Sequence, residues 1–184
     1  AYHSRAGKIP PYEMTMEQVL ARIAELNDTG GTQVMLQGGL HPDYKIEFYE
    51  NMVLTVKERF PHVYLHSFSP SEIVHISEVS GISIEDAISR LKNAGLDSIP
   101  GASDLLVDRI RSEVSPKKAT VDQWKRVMRA LAANGMGSTA TMTYGMGETL
   151  EEKVQHFSVV RSIQDETGIL RGFIPWSFSP GNTA

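Results

Sequence analysis

The fold is decided by the stretch GSTATMTYGMGETLEE, residues 137–152. Residues 137–144 alternate Thr with small or apolar side chains, which predicts a strand, and a glycine turn follows it. Thr149 and Glu152 have the spacing of a helix N-cap, which predicts a helix as far as about Thr167. Another strand is expected over 170–176. A strand, a helix and a strand in this order form a βαβ unit with parallel strands.

The same alternation extends upstream. The spacing predicts strands at 32–37, 62–68 and 96–100, and helices after the T-x-x-Q of 15–18 and at 46–60, 71–79, 83–94, 104–113 and 121–134. Residues 1–12 are expected to be an irregular lead-in to one domain that spans 1–184. A closed (β/α)8 barrel takes about 250 residues. Five strands in 184 residues, with a helix first, indicate an open sheet or most of a barrel with its ends missing.

Composition limits the classes of partner. The chain is 41% hydrophobic and 22% charged with a formal net charge of −4, which argues against a nucleic-acid or anionic-membrane surface. It has no cysteine, which excludes disulfides, thiolate catalysis, zinc ribbons and cysteine-held iron–sulfur clusters within these residues. A cytoplasmic location, without a membrane partner, is the expectation. His62 and His66 are not expected to share a metal, because four strand residues span about 13 Å.

The unusual residues follow the predicted strands. They are 37–42 (QGGLHP), 66–70 (HSFSP), 100–104 (PGASD), 144–148 (YGMGE) and 175–182 (PWSFSPGN). The carboxyl ends of parallel strands meet at one rim, where α/β folds bind ligands. Glycines, aromatic rings and small polar groups suit a flat heterocycle and a ribose. Each of these residues also has a purely structural interpretation. In it, the Gly-Gly pair is an ordinary turn, His41 is a loop residue, Glu148 is an acid favoured at a helix start, and Trp176 belongs to the core.

Several segments resemble a known family. They are TQVMLQGGLHPD, ERFPHVYLHSFSPSEIVHISEVSGISIEDAISRLKNAGLDSIPG, VDRIRSEVSPKK, TATMTYGMGETLEEKVQHF and RSIQDETGILRGFIPWSFSPGNT. From about Glu17 onward they resemble the radical S-adenosylmethionine enzymes of the futalosine route to menaquinone. The resemblance implies an α/β fold, a partial (β/α) TIM-type barrel. It also implies S-adenosylmethionine (SAM), a [4Fe-4S] cluster, a flavodoxin or ferredoxin reductant, and radical cyclisation of a nucleoside, dehypoxanthine futalosine. Aminofutalosine synthase and deazaflavin synthase-like enzymes are the alternatives.

The resemblance also implies site residues. The backbone of Gln37, Gly38 and Gly39 would receive the ammonium of SAM, and Asp104 its ribose. The segment that contains Thr141, Tyr144, Gly145 and Glu148 would pack the adenine. Contacts with substrate are expected from six further residues: His41, His66, Ser69, Glu72, Trp176 and Asn182. No catalytic residue is assigned.

Two departures from the family pattern matter. SIPGASDLLVD is one residue shorter than usual and carries Asp104 where Glu is common, which weakens the ribose assignment. The family's C-x-x-x-C-x-x-C cluster loop is absent. Ala1 matches the point just after that loop, and Ala184 precedes the final strands, so the expectation is a fragment that is inactive alone. The alternative of another class is a cluster-less nucleoside-binding protein.

Overall fold

A computed structural model describes residues 13–179 of the protein. Helices and strands alternate along this part. The helices are α1 Met16–Asp28, α2 Ile46–Arg59, α3 Pro70–Ser80, α4 Ile84–Ala94, α5 Asp108–Val114, α6 Val121–Ala133 and α7 Leu150–Thr167. The strands are β1 Gln33–Val34, β2 Tyr64–Leu65, β3 Ser98–Ile99, β4 Gly137–Tyr144 and β5 Leu170–Ser177. The predicted lead-in 1–12 lies outside the described residues.

All strand pairs are parallel. β1 pairs with β2, and β3, β4 and β5 pair in that order. A single parallel bridge between His66 and Ser98 joins the two groups. The described strands therefore follow one another in chain order, as expected when each helix is a crossover between neighbouring parallel strands.

The predicted helix starts are confirmed by their hydrogen bonds. Thr15, Thr120 and Thr149 each accept a backbone N–H with the side-chain oxygen, and the Gln or Glu three residues later returns the bond. Each of these capping boxes satisfies two backbone donors that the first helical turn leaves open. The predicted strand 137–144 and the predicted end of α7 at Thr167 also agree with the structure.

One predicted helix was wrong at its start. The helix expected over 104–113 begins only at Asp108, because the preceding segment is bonded to other elements. The N–H groups of Ser103 and Asp104 donate to Thr141 Oγ1 at 2.8 and 3.2 Å, and the Arg111 guanidinium donates to the Ser103 carbonyl at 2.7 Å. Asp104 also has a positive φ of 46°. These long-range bonds hold the backbone out of helical geometry.

The helices cover one face of the sheet. Leu65 and Ile99 point to that face and are buried in the main core, which includes Trp124 of α6. Since strand side chains alternate between faces, Tyr64, His66 and Ser98 point to the opposite face. We call this opposite face the inner face.

β4 and β5 extend the same two faces. The register pairs Ala140 with Phe173 and Thr141 with Ile174. Phe173 lies 5.9 Å from the His156 ring of α7, so the first pair faces the helices and the second faces inward. The inner face thus carries Tyr64, His66, Ser98, Gly137, Thr139, Thr141, Thr143, Arg171, Ile174 and Trp176.

Candidate functional site

The glycine turn after β1 is held by a side chain from the next βα unit. The N–H groups of Gly38 and Gly39 both donate to Oε1 of Glu72, at 2.9 and 3.2 Å. The Gln37 side-chain amide donates to the Phe68 carbonyl at 2.9 Å. Gly39 has a φ of 84°, which a residue with a side chain rarely adopts. Position 39 therefore requires glycine, and the turn is fixed from outside by one carboxylate.

Glu72 lies in the first turn of α3 and is 6% exposed. Its Oε2 accepts the Ser69 hydroxyl at 2.6 Å, and Ser69 caps the helix by accepting the Glu72 N–H. Burial raises the pKa of Glu72 above its usual range, against hydrogen bonds from Ser69 and the two glycines that lower it. The Glu72 carboxylate accepts the N–H groups of both Gly38 and Gly39. A ligand at this turn therefore contacts backbone carbonyls and a buried acid.

A cavity of about 350 Å³ opens beside this turn. Its wall includes the turn, Met35, Phe68 and Glu72, and a Cβ added at Gly38 would meet no atom within 4 Å. His41 also lines the cavity, with its ring stacked on Tyr44 at 3.6 Å between ring centroids. The predicted contacts Gln37, Gly38, Gly39, His41 and Glu72 are therefore together on one wall, and Ser69 supports them.

Asp104 lines a separate cavity of about 160 Å³. Its carboxylate pairs with Lys118, and Thr143, Met146 and Phe178 complete part of the wall. Thr141, a predicted adenine neighbour, uses its hydroxyl oxygen to accept the backbone N–H of Asp104 at 3.2 Å. Thr141 thus sets the position of the acid, whose carboxylate lies beside an apolar wall and is paired with Lys118.

The turn after β4 is closed by its own acid. Glu148 accepts the N–H groups of Gly145 and Met146, each at 2.7 Å, and pairs with Lys153 at 3.3 Å. Burial alone would raise the pKa of Glu148, but hydrogen bonds from the backbone amides of Gly145, Glu148 and Met146 and from Lys153 outweigh it and bring that pKa to about 2. Tyr144 is 40% exposed beside this turn, with Lys153 over its ring. The Glu148 carboxylate therefore fixes the turn after β4, and the exposed Tyr144 ring beside that turn is accessible to a ligand.

The remaining predicted residues lie elsewhere. His66 is buried on the inner face, where its Nδ1 lies 2.7 Å from Ser98 Oγ. Trp176 is 45% exposed on the same face, and Asn182 lies outside the described residues. His62 bonds Asn27 at 2.6 Å, away from His66. Among residues 13–179, no three His, Asp or Glu side chains are grouped as a metal site would need.

Two arginines were missed by the sequence reasoning. Arg111 is buried and donates to the carbonyls of Ser103 and Ala119, each at 2.7 Å, which fixes the loop that carries Asp104. Arg171 reaches from β5 to Ser98 of β3. Arg171 could have been found from the sequence, because it is a cation inside the apolar run LRGFIPW, 170–176. Arg111 could not, because it lies among other charged residues in DRIRSE, 108–113.

Comparison with known proteins decides the family. The profile of the radical SAM superfamily matches residues 2–160. This chain belongs to the radical SAM superfamily. The family and the α/β, TIM-type fold of the radical SAM kind that the sequence predicted are confirmed. No helix within residues 13–179 has the length and apolar character to cross a membrane.

Among curated relatives, this radical SAM chain is 42% identical to cyclic dehypoxanthine futalosine synthase of Halalkalibacterium halodurans over 184 residues, 100% of the chain and 50% of the relative. It is 42% identical to the enzyme of the same name from Streptomyces coelicolor, over 91% of the chain and 42% of the relative. A Methanosarcina barkeri 5-amino-6-(D-ribitylamino)uracil–L-tyrosine 4-hydroxyphenyl transferase is 38% identical over 99% of the chain and 48% of the relative. The chain thus spans about half the length of these relatives.

A solved structure supports the fold. The radical SAM methyltransferase TsrM from Kitasatospora setae, determined with cobalamin and a [4Fe-4S] cluster, superposes with a TM-score of 0.56. The match covers 89% of this chain and 29% of TsrM at 16% identity. At that identity the likeness concerns the fold alone.

Proposed function

We propose that this chain is part of a radical SAM enzyme that cyclises dehypoxanthine futalosine to cyclic dehypoxanthine futalosine in menaquinone biosynthesis. The observation that carries the proposal is the 42% identity to cyclic dehypoxanthine futalosine synthase along all 184 residues. The glycine turn that the resemblance assigned to the cofactor lines the larger cavity, which supports the same conclusion.

The described residues suit SAM. The carbonyls of Gln37, Gly38 and Gly39 would receive its ammonium, since Glu72 already occupies the two glycine N–H groups. When bound and reductively cleaved, SAM supplies the 5′-deoxyadenosyl radical on which this superfamily depends. Asp104 would receive ribose hydroxyls, and Thr141, Tyr144, Gly145 and Glu148 would form the adenine side.

The residues do not suit the iron–sulfur cluster. The 184 residues contain no cysteine, and the known ligands of a [4Fe-4S] cluster are mainly thiolates. Its ligands would have to come from outside this sequence, and no step is assigned to it here. We propose that the 184 residues alone are inactive, and that the complete protein takes electrons from flavodoxin or ferredoxin.

Substrate contacts are proposed for His41, His66 and Trp176. His41 is stacked beside the glycine turn, whereas the other two lie on the inner face of the sheet. Glu72 and Ser69, expected as contacts, are proposed to position the turn, because their polar atoms bond one another and the turn. The protein's task is to orient a nucleoside and exclude water, while the cofactors carry the difficult chemistry.

The test uses the product of the complete reading frame that contains these residues. The protein is purified and reconstituted with iron and sulfide under anaerobic conditions, then given SAM, dithionite and dehypoxanthine futalosine. Mass spectrometry should find cyclic dehypoxanthine futalosine and 5′-deoxyadenosine. The 184-residue chain, treated identically, should produce neither. An iron-free complete product that binds nucleosides would favour a cluster-less binding protein instead.

A second function has a specific observation in its favour. The transferase of Methanosarcina barkeri, which acts on 5-amino-6-(D-ribitylamino)uracil and L-tyrosine by its name, is 38% identical over 183 residues. The same preparation should therefore also be given those two compounds, and separately the substrates of aminofutalosine synthase. Turnover of either set, with none of dehypoxanthine futalosine, would overturn the cyclase assignment while keeping the family.

A further inference from the structure

The inner face of the sheet is unusually polar. Its members include Tyr64, His66 and Ser98, the alternate threonines of β4, and Arg171 of β5. The interiors of parallel (β/α) barrels are normally packed with branched apolar side chains. A face that places a guanidinium and an imidazole in that position is suited to a polar ligand.

Arg171 reaches across β4 to this position. Its Nη2 donates to Ser98 Oγ on β3 at 3.1 Å, and its guanidinium lies 5.3 Å from the centre of the Tyr64 ring on β2. The intervening strand β4 provides Gly137, where an added Cβ would lie 3.1 Å from Nε of Arg171. The missing side chain at Gly137 therefore makes room for the arginine.

The charge of Arg171 has no partner of opposite sign in residues 13–179. Arg90, Arg126 and Arg129 each bind a glutamate there, whereas Arg171 forms no ion pair with a carboxylate of that part. A guanidinium has five N–H donors in a planar fork that matches carboxylate or phosphate. One donor is engaged with Ser98, and the residue is exposed.

His66 contributes a second donor at the same place. Ser98 Oγ accepts from Arg171 and also lies 2.7 Å from Nδ1 of His66. Burial lowers the pKa of His66, and the charge of Arg171 lowers it further, which favours the neutral ring. In the tautomer with the hydrogen on Nε2, Nδ1 accepts the Ser98 hydroxyl and Nε2–H is left as a donor. Arg171 and His66 therefore converge on one oxygen atom, and each retains N–H groups for a ligand.

We propose that Arg171 and His66 form an anion-binding site on the inner face, and that it receives a carboxylate group of the nucleoside substrate. Assigning the anion to the substrate rests on the proposed function. Tyr64 supports the site from one side and Gly137 leaves it open. The substrate would thus be anchored by its charged group on the inner face.

The test is a titration observed at His66. The complete reading-frame product is labelled with 13Cε1-histidine, and the His66 resonance is followed while sodium acetate or sodium phosphate is added at constant ionic strength. A saturable shift, with a higher His66 pKa at saturation, is expected for the preferred anion. Comparing the two dissociation constants decides whether the site takes a carboxylate or a phosphate.

Variants keep the test decisive. Arg171→Gln should weaken anion binding at least about tenfold, whereas Arg171→Lys should keep part of it because the charge remains. Gly137→Ala, whose Cβ would lie 3.1 Å from Nε, should shift the Arg171 side chain slightly and weaken binding less than Arg171→Gln does. Arg161→Gln removes an exposed arginine that pairs with Asp165 on α7, and should change nothing.

Two results would overturn the site: no saturable response to either anion in the unmodified protein, or an equal response in Arg171→Gln. The titration needs neither the cluster nor turnover. Cyclic product without an anion response would remove the site and leave the cyclase standing. Anion binding by a protein that fails the turnover assay would keep the site and remove the cyclase assignment. Only the assignment of the anion to that substrate would then be lost.

Discussion

Glu72 determines which ligands the glycine turn can take. Peptide N–H groups after a strand commonly bind anions, but those of Gly38 and Gly39 are already bonded to the Glu72 carboxylate. What remains for a ligand is the turn's carbonyls and the nearby acid. This combination attracts an ammonium or sulfonium group and repels phosphate.

Substitution of Glu72 separates its charge from its hydrogen bonds. Glu72→Gln keeps an oxygen that can accept a glycine N–H but loses the charge, so SAM affinity should fall about tenfold. Glu72→Ala should lower the SAM affinity further, because no side chain then accepts the glycine N–H groups of the turn. Isothermal titration of the complete protein with SAM measures both, with Glu78→Gln, an exposed acid of the same helix, as control. Unchanged affinity in Glu72→Ala would contradict the role.

His156 makes stability depend on pH. The ring is fully buried, its Nδ1 accepts the Leu106 N–H at 3.0 Å, and burial, with a smaller effect of the Arg111 charge, lowers its pKa to about 4. An unfolded histidine protonates near 6.5. The stabilising effect of the neutral ring is therefore complete above pH 6.5 and is lost as pH falls toward 4, by up to roughly 3 kcal/mol.

The His156 effect is measured by comparing Tm at pH 7.5 and pH 4.5. The unmodified protein should lose more stability than His156→Asn, whose side-chain oxygen can still accept the Leu106 N–H. His62→Asn, at an exposed histidine, serves as the matched control. Equal losses in all three proteins would show that His156 does not cause the acid sensitivity.

At the scale of elements, the segment that follows β3 approaches β4 too closely for a side chain at Gly101. A Cβ there would lie 1.7 Å from the Thr139 carbonyl oxygen, which no rotamer relieves. Gly101→Ala should therefore destabilise the protein by more than about 3 kcal/mol in urea unfolding, because the two backbones must separate. Gly172→Ala, where the nearest atom is 4.0 Å away, should change stability by less than about 1 kcal/mol. Similar effects at both sites would contradict this packing.

Elements whose signals are local were predictable. The caps at Thr120 and Thr149 and the strand 137–144 are set by neighbours in sequence, and they agree with the structure. The segment before Asp108 was not, because bonds from Thr141 and Arg111 override its helical tendency. The glycine turn was predicted as part of the site. Its hydrogen bonds to Glu72 were not predicted, since Gly38 and Glu72 are 34 residues apart.

At the scale of the whole molecule, β5 is the most exposed strand. Phe173, Ile174 and Trp176 are between 39 and 45% exposed, and Phe157 of α7 lies beside them at 48%. An apolar edge strand invites pairing with another chain. The isolated 184-residue chain should self-associate as its concentration rises, as measured by light scattering after size-exclusion chromatography. Ile174→Lys should reduce this, and a chain that stays monomeric at high concentration would refute the expectation.

The hydrogen bonds between the glycine turn and Glu72 also have a consequence for the order of folding. The turn follows the first described strand, yet the carboxylate that shapes it belongs to a helix that follows the second. During synthesis the turn would emerge before Glu72 and would remain without a fixed shape until α3 is in place. The ammonium-binding part of the cofactor site would then take its shape in one step, when α3 docks, before the segments proposed for the ribose and the adenine are made.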